Sequence, residues 1–267
     1  MGPVVADLPA VQQAAETIAR RVAVIVREMP DVNLPIPNSE WRVSEAAAHL
    51  AYANLGMAMM ARGLAIPHGD GTREGLAVAN EVALEGYTER DGAVLGDQMV
   101  AAARMVFDEA RAQPPDRICP TPMGPMPVDH LLSYLLVHEA MHGSAIATAV
   151  GGPWPFDPDH VALMWPFISY VMPKVVDPLQ VAGVSACYEL HFGDAFTCAL
   201  MIDDGSVEPA LTPSRAPDCI VSGDAHSLFL VIVRVLTMQG AVDAGDLQLS
   251  GPNPELGFTM ADFFNVP

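Results

Sequence analysis

His138 and His142 lie four residues apart in the stretch Val137-His-Glu-Ala-Met-His-Gly143. In a helix that spacing puts both imidazoles on one face, one turn apart, close enough to share an ion. Paired histidines at i and i+4 are a common zinc arrangement, because neither ring needs a distorted backbone to reach the metal. The pair alone reads equally well as two hydrogen-bonded histidines at a helix edge or in a core. His49, in Trp41-Arg-Val-Ser-Glu-Ala-Ala-Ala-His49-Leu50, adds a third imidazole on a separate apolar run; on its own it reads as a hydrogen-bonded core histidine. If the two runs are antiparallel neighbours in a bundle, His49 meets His138 and His142 inside the core, where an unpaired imidazole is costly and a ligand is satisfied. Three neutral imidazoles leave a fourth position on the ion open, which is the coordination of a catalytic zinc rather than a structural one. Glu139 follows His138 directly and projects roughly 100° away around a helix, so it is read as a surface residue or as one that orients an imidazole, not as a ligand.

The elements that must position these residues follow from apolar spacing and from the breakers between runs. Residues 9–29 carry apolar positions at helical spacing and stop at Pro30. The proline- and asparagine-rich stretch 31–38 is a loop, and Ser44 caps a second helix that extends to about Arg62, with Glu45 at its positive end. The Pro67-His68-Gly-Asp-Gly segment is a turn with His68 solvated. A third helical region spans Asn80 to Ala112, with a break or kink expected near Asp91-Gly92. Cys119 to Pro127 holds too many prolines for regular structure. It leads into the helix of the histidine pair, opened by Pro127 and Asp129 and closed by Gly151-Gly152-Pro153. Four helices with loops between them predict a bundle.

Past Trp154 the pattern changes. A helix is expected from Asp157 to Met172, then short strands at 185–192, 196–202, 207–211, 218–224 and 247–249, with helices at 225–238 and 255–264. Strands followed by helices imply an α+β unit. The expected domains are residues 1–153, a helical bundle, and residues 154–267, an α+β domain, with the boundary at the proline- and aromatic-rich stretch Trp154 to Asp159.

Composition narrows the class of partner. With 51% hydrophobic and 17% charged residues the chain is globular, and a net charge of −19 argues against nucleic acid or an anionic membrane as partner. Beyond Arg117 the cations are Lys174, Arg215 and Arg234 alone, so an anionic ligand touching that half has few groups to choose from. Arg234 interrupts the apolar run 228–233 and is read as an anion-binding, catalytic candidate, with snorkelling or a pair with Asp224 or Asp243 as the plainer alternative. Arg215, in a proline-rich loop, is the second candidate for binding a cofactor anion. Cys119, Cys187, Cys198 and Cys219 show no CxxC spacing and read as reduced core residues. The amino terminus shows no secretory pattern and no run is long enough to span a bilayer, so a cytoplasmic protein is expected.

Trp41 to Leu50, followed by His138 to Gly143 and a closing Val150-Gly151, resembles the DinB-like metal-binding four-helix bundle of the mycothiol-dependent maleylpyruvate isomerase family. Residues 218–224, the helix after them and Ala244 to Gly251 are similar to the sterol-carrier-like α+β domain that follows the bundle in many members. The resemblance implies a divalent ion, zinc or another metal, at His49, His138 and His142, and mycothiol as thiol cosubstrate. It implies a thiol-dependent S-transferase or cis-trans isomerase acting on a small electrophile, as monomer or homodimer, with the second domain closing over the bundle. Isomerase-type members usually carry Glu where this chain has His138, and commonly Asp where it has Ala145. Two other classes remain open from the residues: a non-catalytic lipid or small-molecule binder, and a metal-dependent hydrolase that needs no thiol.

Overall fold

A computed structural model describes residues 7–114 and 116–265. The chain separates into two compact units, one running to Pro155 and the other from Phe156.

In the first unit, α1 (Leu8–Glu28) is started by Asp7, whose carboxylate accepts from the Ala10 amide at 3.2 Å, and ends as Met29 turns extended ahead of Pro30. Val11, Ile18, Val22 and Val26 recur at helical spacing and are all buried, so one apolar stripe holds the helix in place. The start of α2 (Val43–Ala61) differs from the sequence reading. Ser44 is not the cap but lies buried inside the first turn, and the Glu45 carboxylate instead accepts the Arg42 amide at 2.7 Å.

The single helical region expected over 80–112 is two helices, α3 (Arg73–Gly86) and α4 (Gly92–Arg111). The break falls at Asp91-Gly92 as its residues suggest: the Asp91 carboxylate takes the amides of Ala93 and Val94 at 2.9 Å each. The earlier start of α3 comes from Thr72, whose hydroxyl accepts from the Gly75 amide at 3.0 Å.

The proline-rich stretch read as irregular closes into a short antiparallel pair, β1 (Ile118–Cys119) with β2 (Met126–Pro127). It feeds α5 (Val128–Ala149) through Pro127, whose φ of −60° suits a helix entrance. Both α1 and α2 pack on α4 and α5, while α3 lies on α2. α2 and α5 are apolar on most of their circumference, as helices enclosed by neighbours must be.

The second unit opens with α6 (His160–Val171), a 3-10 turn at Met172–Lys174 and α7 (Pro178–Val181). Its strands are β3 (Ser185–Phe192), β4 (Phe196–Asp203), β5 (Ser206–Ala210) and β6 (Cys219–Gly223); α8 (Ala225–Ile232) and α9 (Met238–Asp243) precede β7 (Leu247–Ser250). They form one sheet in the order β5-β4-β3-β6-β7, with β3 parallel to β6 and the other pairs antiparallel. Asp204 and Gly205, at φ of 41° and 88°, turn β4 into β5 as a two-residue hairpin requires.

Two expected helices change form. The one read over 225–238 stops at Ile232, with Arg234 at φ 61° breaking the helical path, and α9 restarts behind Thr237. The last is a 3-10 run, Pro254–Phe263. The architecture is a helical amino-terminal region followed by an α+β carboxy-terminal unit. All four cysteines are buried and free. No helix among the described residues is long and apolar enough to cross a membrane.

Candidate metal centre

The packing of α2 on α5 brings His49 to His138 and His142. His49 Nε2 lies 2.9 Å from His138 Nε2, and the ring centroids are 4.9 Å apart for that pair, 4.7 Å for His49 and His142, and 4.6 Å for His138 and His142. One ring nitrogen from each lies within 4.8 Å of the other two, a cluster of the kind that can hold a metal ion. His49 and His138 are buried and His142 is half-buried.

Burial penalises the imidazolium in all three. It holds His49 well below the usual histidine range, helped by the repulsion that a protonated His142 or His138 would exert; it does the same for His138, helped by repulsion from His142, and brings His142 down to about 4. The rings are therefore neutral at pH 7, the state in which imidazole binds a metal. Among the described residues the three neutral imidazoles share one nitrogen–nitrogen hydrogen-bond contact, His49 to His138, and the donor set fits a nitrogen-binding divalent ion such as zinc.

Other groups fix the rings. Trp41 stacks on His142 at 5.9 Å and 21° and lies against His49 at 4.8 Å. The Tyr52 hydroxyl sits 2.7 Å from His49 Nδ1 and 3.3 Å from both the carbonyl and the carboxamide oxygen of Asn80. Tyr134 presents its ring edge-on to His138 at 5.9 Å, while His138 Nδ1 is buried with no hydrogen-bond partner among the described residues.

Glu139 is not a surface residue. It is fully buried, accepts a hydrogen bond from the Asn54 carboxamide, and has its carboxyl pushed up to about 7 by burial, against the lowering effect of that bond. His68 also departs from the sequence reading: it is half-buried, with Nδ1 shut off from water and without a partner among the described residues.

The triad forms part of the wall of a cavity of about 960 Å³, also lined by Trp41, Glu45, Tyr52, Met57, His68, Arg73 and Asn80. That volume lies in the range of pockets that take a small organic molecule. The sequence reading does not include Tyr52, Trp41 and Asn54 among the site residues, although signals exist. Tyr52 is at i+3 from His49, on the same face, and Asn54 is a polar residue in an alanine-rich helix.

The two arginines lie in the carboxy-terminal unit. Arg215 pairs with Asp218 at 2.9 Å, and Asp218 also accepts the Cys187 amide at 2.8 Å. Arg234 donates to the Phe264 carbonyl at 2.6 Å and approaches Asp262 at 3.8 Å; its acidic neighbour is thus Asp262, in place of Asp224 or Asp243.

Fold and site together define a class: a helical domain with an inward-facing histidine cluster, followed by an α+β unit. Residues 11–147, which include all three histidines, match the family described as mycothiol maleylpyruvate isomerase N-terminal domain, and the chain belongs to that family. Two crystal structures of the mycothiol-dependent maleylpyruvate isomerase are similar to it, one of them of a histidine-to-alanine mutant. The mutant aligns at a TM-score of 0.52 and the other at 0.51, each at 13% identity over 84% of this chain and 87% of that one. At such identity the likeness is one of fold. No curated protein sequence matches the chain significantly.

Proposed function

We propose that the protein is a metal-dependent enzyme that uses a low-molecular-weight thiol, mycothiol or a close equivalent, as an S-transferase or cis-trans isomerase on a small electrophile. The observation that carries this reading is the convergence of three neutral imidazoles on the wall of a large cavity, in a chain of this family. When bound by His49, His138 and His142, a divalent ion, zinc in our reading, lowers the pKa of a coordinated thiol into the neutral range.

The residues of the chain then have defined tasks. The three imidazoles supply neutral donors, Trp41 and Tyr52 hold two of the rings in place, and Met57, Met60 and Leu76 give the cavity apolar walls that exclude water from the reacting groups. The thiol sulfur adds to an electrophilic carbon of the substrate. For a cis enoyl substrate, rotation about the temporary single bond and loss of the same sulfur gives the trans isomer; where another group leaves, the product is a thioether. His138 in place of the glutamate of isomerase-type members makes the ligand set neutral.

In this reading residues 1–153 are a metal-binding four-helix bundle and residues 154–267 a sterol-carrier-like domain, in a cytoplasmic monomer or homodimer. Arg234 and Arg215 are proposed to take the anionic part of the thiol or substrate. The test is elemental analysis of protein purified without a histidine tag, with thiol-binding calorimetry on wild type and His142→Ala. Stoichiometric zinc and thiol binding, both lost in the variant with the fold retained, are expected. Metal-replete wild type that holds no transition metal overturns the reading, and turnover undiminished without thiol assigns the site to a hydrolase.

A further inference from the structure

We infer that Tyr52 is the positioning residue for His49, accepting a hydrogen bond from Nδ1–H so that Nε2 is left as the ligand atom, and linking that ligand to α3. The inference rests on the metal reading above. The phenol has one proton, and two oxygens compete for it: the Asn80 carbonyl and the Asn80 carboxamide oxygen, each at 3.3 Å, neither of which can donate. With its proton directed to Asn80, the hydroxyl turns a lone pair to His49 Nδ1, 2.7 Å away. A neutral imidazole carries a single N–H, so a proton on Nδ1 leaves Nε2 bare. Nε2 is the atom that faces His138 across 2.9 Å.

The position of Asn80 adds a second consequence. It lies on α3, where Leu84 is the buried residue among fourteen, and α3 lines the same cavity. A ligand pressing on this lightly held helix acts on His49 through two hydrogen bonds. His138 has no comparable partner, since its Nδ1 is buried and unbonded among the described residues. Tyr52 is therefore the hydrogen-bonding anchor of His49, whereas His142 is held by the stacked ring of Trp41.

Nitrogen-15 NMR of the histidines in metal-free protein at neutral pH reads the tautomer directly, and chelator competition with Zn2+ reads the affinity. The expected results are Nδ1–H at His49 in wild type, loss of that preference in Tyr52→Phe, and a ten- to hundredfold weaker Zn2+ affinity in the variant with its circular dichroism unchanged. A proton on Nε2 of His49 in wild type, or Zn2+ affinity in Tyr52→Phe equal to wild type, overturns the inference. Should the variant fail to fold, the wild-type spectrum alone decides. Wild type with no affinity for Zn2+ would instead sink the metal reading, with the tautomer still deciding the role of Tyr52.

Discussion

Asn54 on α2 donates its carboxamide N–H to the carboxyl of Glu139 on α5, and both side chains are fully buried. The bond joins the two helices that carry the histidines, five residues beyond His49 on one and one beyond His138 on the other. The second carboxyl oxygen of Glu139 has no partner among the described residues. An ionised carboxylate there would be poorly solvated, which is why its pKa rises to about 7.

That shift has a sign. Between its ordinary value of 4.5 and about 7, Glu139 is protonated in the folded chain and ionised in the unfolded one. Its contribution is fully present below 4.5 and is lost as pH rises through 7, a change on the order of 3 kcal/mol. Glu139→Gln keeps the acceptor for Asn54 and removes the titration. Urea midpoints of metal-free protein should converge for wild type and variant at acid pH and favour the variant above pH 7. Parallel profiles across that range would show that the carboxyl does not titrate there.

The histidines act in the opposite direction. Below their ordinary 6.5 the unfolded chain takes up protons that the buried rings of the native state refuse, down to about 4 for His142, with His49 and His138 also held well below the usual range by burial. Stability present above 6.5 is therefore lost as pH falls toward 4. Metal-free protein should be most stable near neutrality, and its thermal midpoint should drop steadily on acidification. His142→Ala should show a shallower drop, and an added divalent ion should delay it, because bound metal blocks protonation. A midpoint that stays level from pH 6.5 to 4 would contradict the burial of these rings.

Much of this site can be read from sequence, for physical reasons. The i,i+4 spacing of His138 and His142 fixes their common face in any helix, and the apolar run around them leaves little but a helix. Meeting His49 requires only that two such runs pack side by side. What sequence does not reveal depends on chain paths through loops. His68 sits in a glycine-rich turn whose composition says solvent, yet the turn folds against the cavity. Glu139 is one residue out of phase with the histidines, and only the packing of α5 against α2 determines that its side of the helix is enclosed as well. Likewise the residues of 225–238 suit a helix throughout, and the break at Arg234 reflects how the segment packs in its unit rather than propensity.

Arg234 gives a separate test of the carboxy-terminal unit. Its guanidinium is about one-third exposed, and its Asp262 neighbour is 3.8 Å away, a loose pair that contributes at most about 1 kcal/mol. If it takes the anionic part of a substrate, Arg234→Gln should raise KM about tenfold, the loss of one charge-assisted hydrogen bond, with kcat and metal content unchanged. Unaltered KM for an anionic electrophile would leave Arg234 a role in holding the Phe264 carbonyl alone.

Gly143 follows His142 directly, and a Cβ there would come within 2.4 Å of Trp154 Cη2, 2.9 Å of Trp154 Cζ2 and 2.9 Å of Val22 Cγ2. The indole thus rests on bare backbone next to a candidate ligand. Gly143→Ala offsets any gain in helix propensity by forcing that ring or α1 to move, and overpacking of this kind costs about 1–3 kcal/mol. The thermal midpoint should fall, and metal affinity should fall with it, because displacement of α5 shifts His142 relative to His49. Trp154→Ala removes the obstacle, so the double variant should lose less than the two single losses added together. Simple additivity in that cycle would place the cost elsewhere, in Val22 or in the backbone, and would separate Trp154 from the geometry of the histidines.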